Sequence, residues 1–596
     1  MPGLLPDGAL TQFAASMTSP SGFAAGRVGR GGISPSGYTA FQSQNFRCAA
    51  LIVFALTVAR LIGLRLSTVD LFIDESQYWS WSRELALGYF SKPPLLAWMI
   101  AGAEHLCGSS EACIRVPVPL MNFAASLLAY ATGRTLYDDR TGFWAAMLTA
   151  FGTGAVFSTR IVSTDAPLVL FWASALFAYV RLLQKADWRW AIVLGIALGM
   201  GLLAKYAMIY FLPGLVLAAV FEKQARVLLG RPELWLALAL AVIAVSPNIL
   251  WNAVNGFVTL RHAGDAVIGE PIEPSVMRPL EFLAAQFAVF GPAVFGVAIA
   301  AAIALLRRRA VKNGAVVPSP FPLAGEGGGA GDDGPPPGST STQEGNHLPS
   351  PQEGGEKKAT RSTCGGPALV RIGSNQLLPA DCILLGFALP PLIVVTVTAS
   401  LVHAYANWAA AAFIPLAVLA AAILVRRNLS ILLWGSLALG LFCQIVLLAA
   451  DAFAARISIP FLRTPNPYYR TLGWNAYGRT VGQLARKLGI STIASDTRAE
   501  VASLLYYWRD QPEQILAWPN IDDLPGFDLT RGLTAAVPQV LFVSQCAAAD
   551  RLERFYAKVT PLGIFGFHDP VPRGFAAFKL EQPRGPIAPL APCPPG

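Results

Sequence analysis

Long apolar stretches, nearly free of charge, recur along most of this 596-residue chain, and no other feature constrains its fold as strongly. Candidate spans begin near Phe46, Arg115, Gly142, Asp165, Trp190, Tyr206, Glu233, Leu280, Leu377, Ala406 and Ser430. Each holds roughly 15 to 27 mostly apolar residues, about what one bilayer crossing needs. The expectation is an α-helical polytopic membrane protein with about 11 transmembrane helices. Around Lys205 the run reads equally as one long helix or as a pair. Hydrophobic residues make up 54% of the chain and charged residues 14%, too little polar surface for a soluble protein of this length.

The run from Leu95 to Leu106 is too short to span and carries Glu104 and His105, so it reads as an interfacial helix. That choice fixes the orientation of every later span, and positive charge tests it. With the N-terminus inside, the cytoplasmic connections hold Arg134 and Arg140, then Arg181, Lys185 and Arg189, then Lys223, Arg226 and Arg231. Arg307 to Arg309 with Lys312, and Arg426 with Arg427, complete the set. Arg65 and Arg160 are the exceptions. The net charge of +9 is therefore membrane orientation, and no basic stretch interleaved with aromatics points to nucleic acid. The same topology gathers Asp74, Lys92, Asp165, Lys205, His262 and His403 on the outer face. Any one of them alone would be an ordinary interface residue. Their coincidence on one face argues for a site.

Three segments lie outside this pattern. Residues 1–45 are rich in Gly, Ser and Pro and lack the order of a cleavable signal peptide, so they read as a disordered leader or a misplaced start. Residues 310–373 cannot bury enough apolar area to fold and read as a disordered cytoplasmic insertion within a transmembrane domain spanning 46–451. From 452 to 596 helix and strand patterns alternate. GRTVGQLARKLG and VASLLYYWR read as helices, and STIASD, QVLFVSQ and FAAFKLE as strands, which predicts a small extracytoplasmic α/β domain. It contains no G-x-G-x-x-G fingerprint and no G-x-S-x-G elbow, and no P-loop occurs in the chain. The eight cysteines show no metal-finger spacing. Cys107 and Cys113 flank an outer loop where a disulfide could persist, with two unpaired thiols the preferred reading.

The chemistry concentrates in the outer loops. Asp74 and Glu75 sit together in IDESQYW, Lys92 precedes Pro93-Pro94, and Asp165 opens the apolar run STDAPLVLFW. A carboxylate at the start of a membrane helix is expensive and needs a partner or a function. It can serve as general base on an acceptor hydroxyl or amine, and a nearby lysine can hold a phosphate and stabilise it as a leaving group. The bland readings stand beside these: an acidic pair is often a helix cap, and X-Pro-Pro is common in loops. The order of the motifs is more specific than any one of them.

That order, DESQYW, YFSKPPLLAW, CIRVPVPL, STDAPLVLFW and GLLAKYAMI, resembles the bacterial C-type glycosyltransferases of the family 39 type, similar to protein O-mannosyltransferases and lipid A aminoarabinose transferases. WNAVNGFVTLRH, AAQFAVFGP and HAYANWAA fit the same group. The resemblance covers roughly Asp70 to Trp408 apart from the insertion. It implies a C-type glycosyltransferase fold with catalytic residues Asp74, as base, and Asp165. Substrate contacts would come from Glu75, Tyr78, Lys92, Arg115, Lys205, His262 and Asn407, with Lys92 on the lipid phosphate. Some relatives carry an acid before the lysine that is implicated in metal binding. Ser91 stands there in this chain, so no cofactor is certain and a divalent metal is only a candidate. His262 and His403 are candidate phosphate or metal ligands, though for His403 a simple hydrogen-bonding role is preferred. Asn407-Trp408 reads equally as a sugar contact or an interface anchor.

The implied activity is transfer of a sugar from a polyprenyl-phosphate donor to an envelope lipid, glycan or protein, at the periplasmic face of the bacterial inner membrane. The alternative class is a transporter or flippase of lipid-linked sugars. A transporter should show mid-membrane charges and inverted repeats with broken helices, whereas here the charges sit at helix ends on one face.

Overall fold

A computed structural model describes residues 43–268, 274–312, 377–460, 464–519, 527–567 and 573–591. The expected leader falls almost wholly, and the insertion largely, outside these residues. Among the described residues seven helices are long and apolar enough to cross a membrane: Gln44–Leu66, Glu111–Leu136, Asp165–Gln184, Pro232–Val254, Pro379–Ala399, Ala406–Arg426 and Ser430–Ala452. The shorter apolar helices are Leu95–Cys107, Trp188–Ala204, Tyr206–Phe221 and Pro292–Arg307. The run expected to cross from Gly142 is a 13-residue helix, Asp139–Phe151, followed at Gly152 by a separate short helix, Thr153–Ser158.

The run around Lys205 divides at that residue. Trp188–Ala204 ends there, Lys205 is extended, and a new helical stretch opens at Tyr206. Lys205 is thereby the last residue before a turn, where its side chain can leave the bundle. The bundle is held by close packing of small residues, since lipid supplies no hydrophobic drive between helices. At Gly195, a Cβ atom would lie 2.7 Å from the Ala237 carbonyl oxygen, so this position lets Trp188–Ala204 seat directly on Pro232–Val254. Helix Ala406–Arg426 is the most enclosed span, with 89% of its apolar window buried. The buried Arg60 guanidinium is satisfied within the bundle. Arg60 donates to Gln444 Oε1, Asn122 Oδ1 and the Ala150 carbonyl, each at 2.7 Å.

Arg160, an exception to the charge pattern, pairs with Asp451 at the end of the last span, and Tyr468 Oη donates to the same carboxylate at 2.8 Å. The exception is thus neutralised where the membrane part meets the C-terminal domain. Cys107 and Cys113 form a disulfide, in place of the two free thiols expected. The reason is local. Helix Leu95–Cys107 stops at Gly108, whose φ is +84°, and the next helix starts under a Ser110 cap, so the two Cα atoms come within 5.8 Å. Cys546 in the C-terminal domain is also disulfide-bonded.

The C-terminal domain is a five-stranded sheet with β1 Thr492–Ser495, β2 Gln514–Ala517, β3 Gln539–Ser544, β4 Tyr556–Phe567 and β5 Arg573–Pro583. The strand order is β2-β1-β3-β5-β4, with β1 parallel to β2 and β3, and β5 antiparallel to β3 and β4. Alternate residues feed two cores. Ile493, Leu541 and Phe575 face helices Trp474–Lys487 and Arg498–Tyr507, while Ala494, Phe542 and Phe578 pack with Trp518 and Tyr556. Helix Arg498–Tyr507 also docks the domain onto the membrane part. Tyr507 Oη accepts from the Leu71 amide at 2.7 Å, and Tyr506 Oη donates to the Ser109 carbonyl at 2.7 Å. The Tyr506 ring meets Trp79 edge-on at 5.1 Å.

Candidate active site

Helix Ile73–Ser82 starts outside the first span and carries both acids in its first turn, where they favour the helix dipole. The two acids do different things. Glu75 is fully buried: it accepts from Arg115 at 2.6 and 2.9 Å, from the Val162 amide at 2.8 Å, and from the Phe72 amide at 2.9 Å. All its acceptor capacity is used within the protein, tying three segments together. Asp74, one residue earlier, turns to the opposite environment, and its side chain is 40% exposed.

Asp74 meets Arg498 of the C-terminal domain in an ion pair, and Arg498 Nε donates to Gln77 Oε1 at 2.6 Å. Tyr78 lies buried on the same helix, where burial and the Asp74 charge push its hydroxyl well above the usual tyrosine range. Asp165 opens its helix across the site. It accepts from Lys205 Nζ at 2.6 Å on one oxygen and from Asn407 Nδ2 at 2.7 Å on the other. Asn407 reaches it from the short helical stretch Ala406–Ala412.

Lys92 completes the cluster. Burial holds its ammonium below the usual lysine range, and the Lys205 charge pushes the same way. Asp74 and Asp165 oppose that shift and Arg498 adds to it, so four charged groups act on Lys92. Among the described residues Lys92 has no ion-pair partner, which leaves one half-buried cation open to an anion. An apolar cleft of about 70 Å³ begins at Asp165 and Asn407 and continues between Val118, Val169, Val289 and Phe413. A cluster of charged groups beside the Asp165 and Asn407 end of an apolar cleft fits a phosphate carried on a hydrocarbon chain.

The structure therefore brings together Asp74, Tyr78, Lys92, Asp165, Lys205 and Asn407. Glu75 and Arg115 form the framework under Asp74. The His262 ring lies 5.2 Å from Phe90, close in sequence to Lys92, and His403 is exposed beside Tyr405. Among the described residues no three His, Cys, Asp or Glu side chains gather as a metal site. Ser91 offers no carboxylate beside Lys92, so the donor set does not fit a resident divalent cation. Arg498 escaped the motif reading because it lies 424 residues from Asp74. One cue was present: a cation in the first turn of a helix opposes the dipole, and such a residue needs an anionic partner.

Comparison with known proteins bears on the fold and the class of activity. Residues 91–251 match the family described as dolichyl-phosphate-mannose-protein mannosyltransferase. The lipid A galacturonosyltransferase RgtD of Rhizobium johnstonii is 28% identical over 477 residues, which is 79% of this chain and 85% of that protein. The undecaprenyl phosphate-alpha-4-amino-4-deoxy-L-arabinose arabinosyl transferase of Pseudomonas aeruginosa UCBPP-PA14 is 31% identical over 217 residues, 32% of this chain and 38% of that one. The crystal structure of ArnT from Cupriavidus metallidurans bound to undecaprenyl phosphate superposes with a TM-score of 0.55 at 16% identity, covering 89% of this chain and 97% of that one. The resemblance to C-type glycosyltransferases read from the motifs is borne out, as is the fold of a helical membrane bundle with a small C-terminal sheet domain.

Proposed function

We propose that this chain, a multi-span membrane glycosyltransferase with the C-type fold, moves a uronic acid from a polyprenyl-phosphate donor to lipid A at the periplasmic face of the bacterial inner membrane. The observation that carries the reading is the meeting of two carboxylates and three cations, one of the carboxylates, Asp165, also opening an apolar cleft. The similarity to a lipid A galacturonosyltransferase over most of both chains supports the sugar and the acceptor. The transporter alternative gains no support, since the relatives described above are transferases.

In this reading the donor phosphate takes Lys92 as its counter-charge, and Lys205, held by Asp165, stands beside it. The hydrocarbon chain starts at the mouth of the apolar cleft and runs out into the lipid. Asp74 removes the proton from the acceptor hydroxyl as its oxygen attacks the anomeric carbon. The bond from that carbon to the phosphate oxygen breaks, and polyprenyl phosphate leaves with the bond's electron pair, stabilised by the lysines. The proton ends on Asp74. Residues 46–451 carry this chemistry, and 452–596 form an extracytoplasmic domain that closes the site through Arg498.

Transfer is tested with purified protein in liposomes, lipid A, and polyprenyl-phosphate donors bearing either galacturonic acid or aminoarabinose, with products read by mass spectrometry. Transfer of galacturonic acid is expected. Transfer of aminoarabinose alone would overturn the sugar, and no product from either donor would overturn the activity. Labelling of cysteines placed at Ser91 and Lys558 by an impermeant reagent in intact cells tests the orientation; protection of both sites would reverse it.

A further inference from the structure

A second cavity, of about 570 Å³, lies where three distant parts of the chain meet. One wall is the end of helix Ile73–Ser82, with Trp81, and the strap that follows it, with Glu84 and Tyr89. A second is the end of helix Pro232–Val254, with Trp251 and Asn255, and the third is Arg531 of the C-terminal domain. The Trp81 and Tyr89 rings stack at 4.8 Å and 9°. The strap is pinned rather than loose: Asn248 Nδ2 donates to the Leu87 carbonyl at 2.7 Å and Thr259 Oγ1 to the Tyr89 carbonyl at 2.6 Å. Gly88 is required where it stands, because a Cβ there would come within 2.4 Å of Trp251 Cε3. Arg531 pairs with Glu84 across the cavity.

Flat aromatic faces with a few hydrogen-bonding and charged groups at their edges suit a sugar ring, which is apolar on its faces and polar around its rim. The surroundings narrow the choice to a lipid-borne sugar. Val254, at 78% exposure, ends a membrane span, and Leu85, Leu87, Phe257 and Leu260 are also exposed beside the cavity. An apolar apron at a membrane boundary marks a lipid-contacting surface. The cavity is also linked to the reacting groups. Trp81 is on the helix of Asp74, roughly 10 Å along its axis, and the Tyr89 amide donates to the Lys92 carbonyl at 3.1 Å.

We infer that this cavity seats the acceptor: the sugar headgroup of an anionic glycolipid lies against Trp81, Tyr89 and Trp251, with Arg531 facing its anionic group and its acyl chains along the apron. The inference rests on the proposed transfer to lipid A, and binding is measured without transfer so that the two stand or fall separately. The probes are bisphosphorylated lipid A, dephosphorylated lipid A and undecaprenyl phosphate, each titrated against purified full-length protein in nanodiscs. Thr530 also lines the cavity and is exposed, so Thr530→Trp fills the space from its rim.

Thr530→Trp is expected to weaken both forms of lipid A about ten-fold or more and to leave undecaprenyl phosphate binding unchanged. Arg531→Gln should weaken only the bisphosphorylated form, and Glu84→Gln should not weaken it, since it releases the guanidinium. Unchanged lipid A binding by a folded Thr530→Trp protein would overturn the inference. So would equal loss of undecaprenyl phosphate, or equal losses from Arg531→Gln and Glu84→Gln, which would make the pair a latch between domains. If the native protein binds lipid A as expected but transfers no sugar, the activity fails and the cavity assignment stands.

Discussion

Arg498, the first residue of a helix in the C-terminal domain, forms an ion pair with Asp74 on the membrane side of the site. The guanidinium also grips Gln77, one helical turn beyond Asp74, so it fixes the direction in which the carboxylate points. A base held by a planar fork is oriented before substrate arrives, and orientation of a reacting group is worth rate rather than affinity. Arg498→Ala should lower kcat about ten- to a hundred-fold while donor KM stays nearly constant. Arg498→Lys should recover part of the loss, since it keeps the charge without the fork. A drop confined to KM, or a parallel loss of thermal stability that accounts for the activity, would make Arg498 a docking residue only.

Lys92 carries a pH dependence. Burial and Lys205 hold its ammonium below the usual lysine range, against the opposing pull of Asp74 and Asp165. The donor phosphate needs the charged form, so donor KM should rise as pH climbs, beginning below the pH at which an ordinary lysine titrates. Lys92→Arg should flatten that limb, because a guanidinium remains charged across the accessible range. Persistence of the same limb in the variant would assign it to another group, with Lys205 the first candidate.

The neighbouring acids Asp74 and Glu75 should separate cleanly. Glu75 is fully buried and fully bonded, and removing its charge strands the buried Arg115. Breaking one side of such a pair costs about 3–5 kcal/mol, so Glu75→Gln should lower the unfolding temperature and the yield of folded protein. Asp74→Asn should unfold normally and lose about a hundred- to ten-thousand-fold in turnover. Thermal unfolding and initial rates on both variants check this, and an equally destabilised Asp74→Asn would end the division of labour.

What could be read beforehand follows from the range of each interaction. Apolar runs are local, and they located the spans from Gln44 to Ala452. The motifs located Asp74, Lys92 and Asp165 because each sits within a short distinctive string. The breaks at Gly152 and at Gly291, whose φ is +87°, divide helices in ways that composition does not report. β2 went unread, as did β4, whose alternation Pro561 and Gly563 interrupt at a register shift. Arg498 and Arg531 act across hundreds of residues, and only the docking of the domain brings them to the site.

That docking depends on a domain whose stability should vary with pH. Glu500 lies buried in the first turn of helix Arg498–Tyr507 and accepts from Ser495 Oγ, and burial pushes its carboxyl up to about 7 from an ordinary value of 4.5. The folded domain therefore binds a proton that the unfolded chain releases between those two values. Stability from this group is fully present below about 4.5 and declines as pH rises toward 7, with an upper bound on the order of 3 kcal/mol. Asp496 is raised by burial in the same way and adds to the trend. Glu500→Gln keeps an acceptor for Ser495 and carries no charge at any pH. The variant should thus match the native protein near pH 5 and unfold at a higher temperature at pH 8. Because the helix that carries Glu500 begins with Arg498, transfer should also survive heating longer in the variant at pH 8. An unfolding temperature at pH 8 no higher than that of the native protein would show that Glu500 is ionised and adequately solvated in the folded domain.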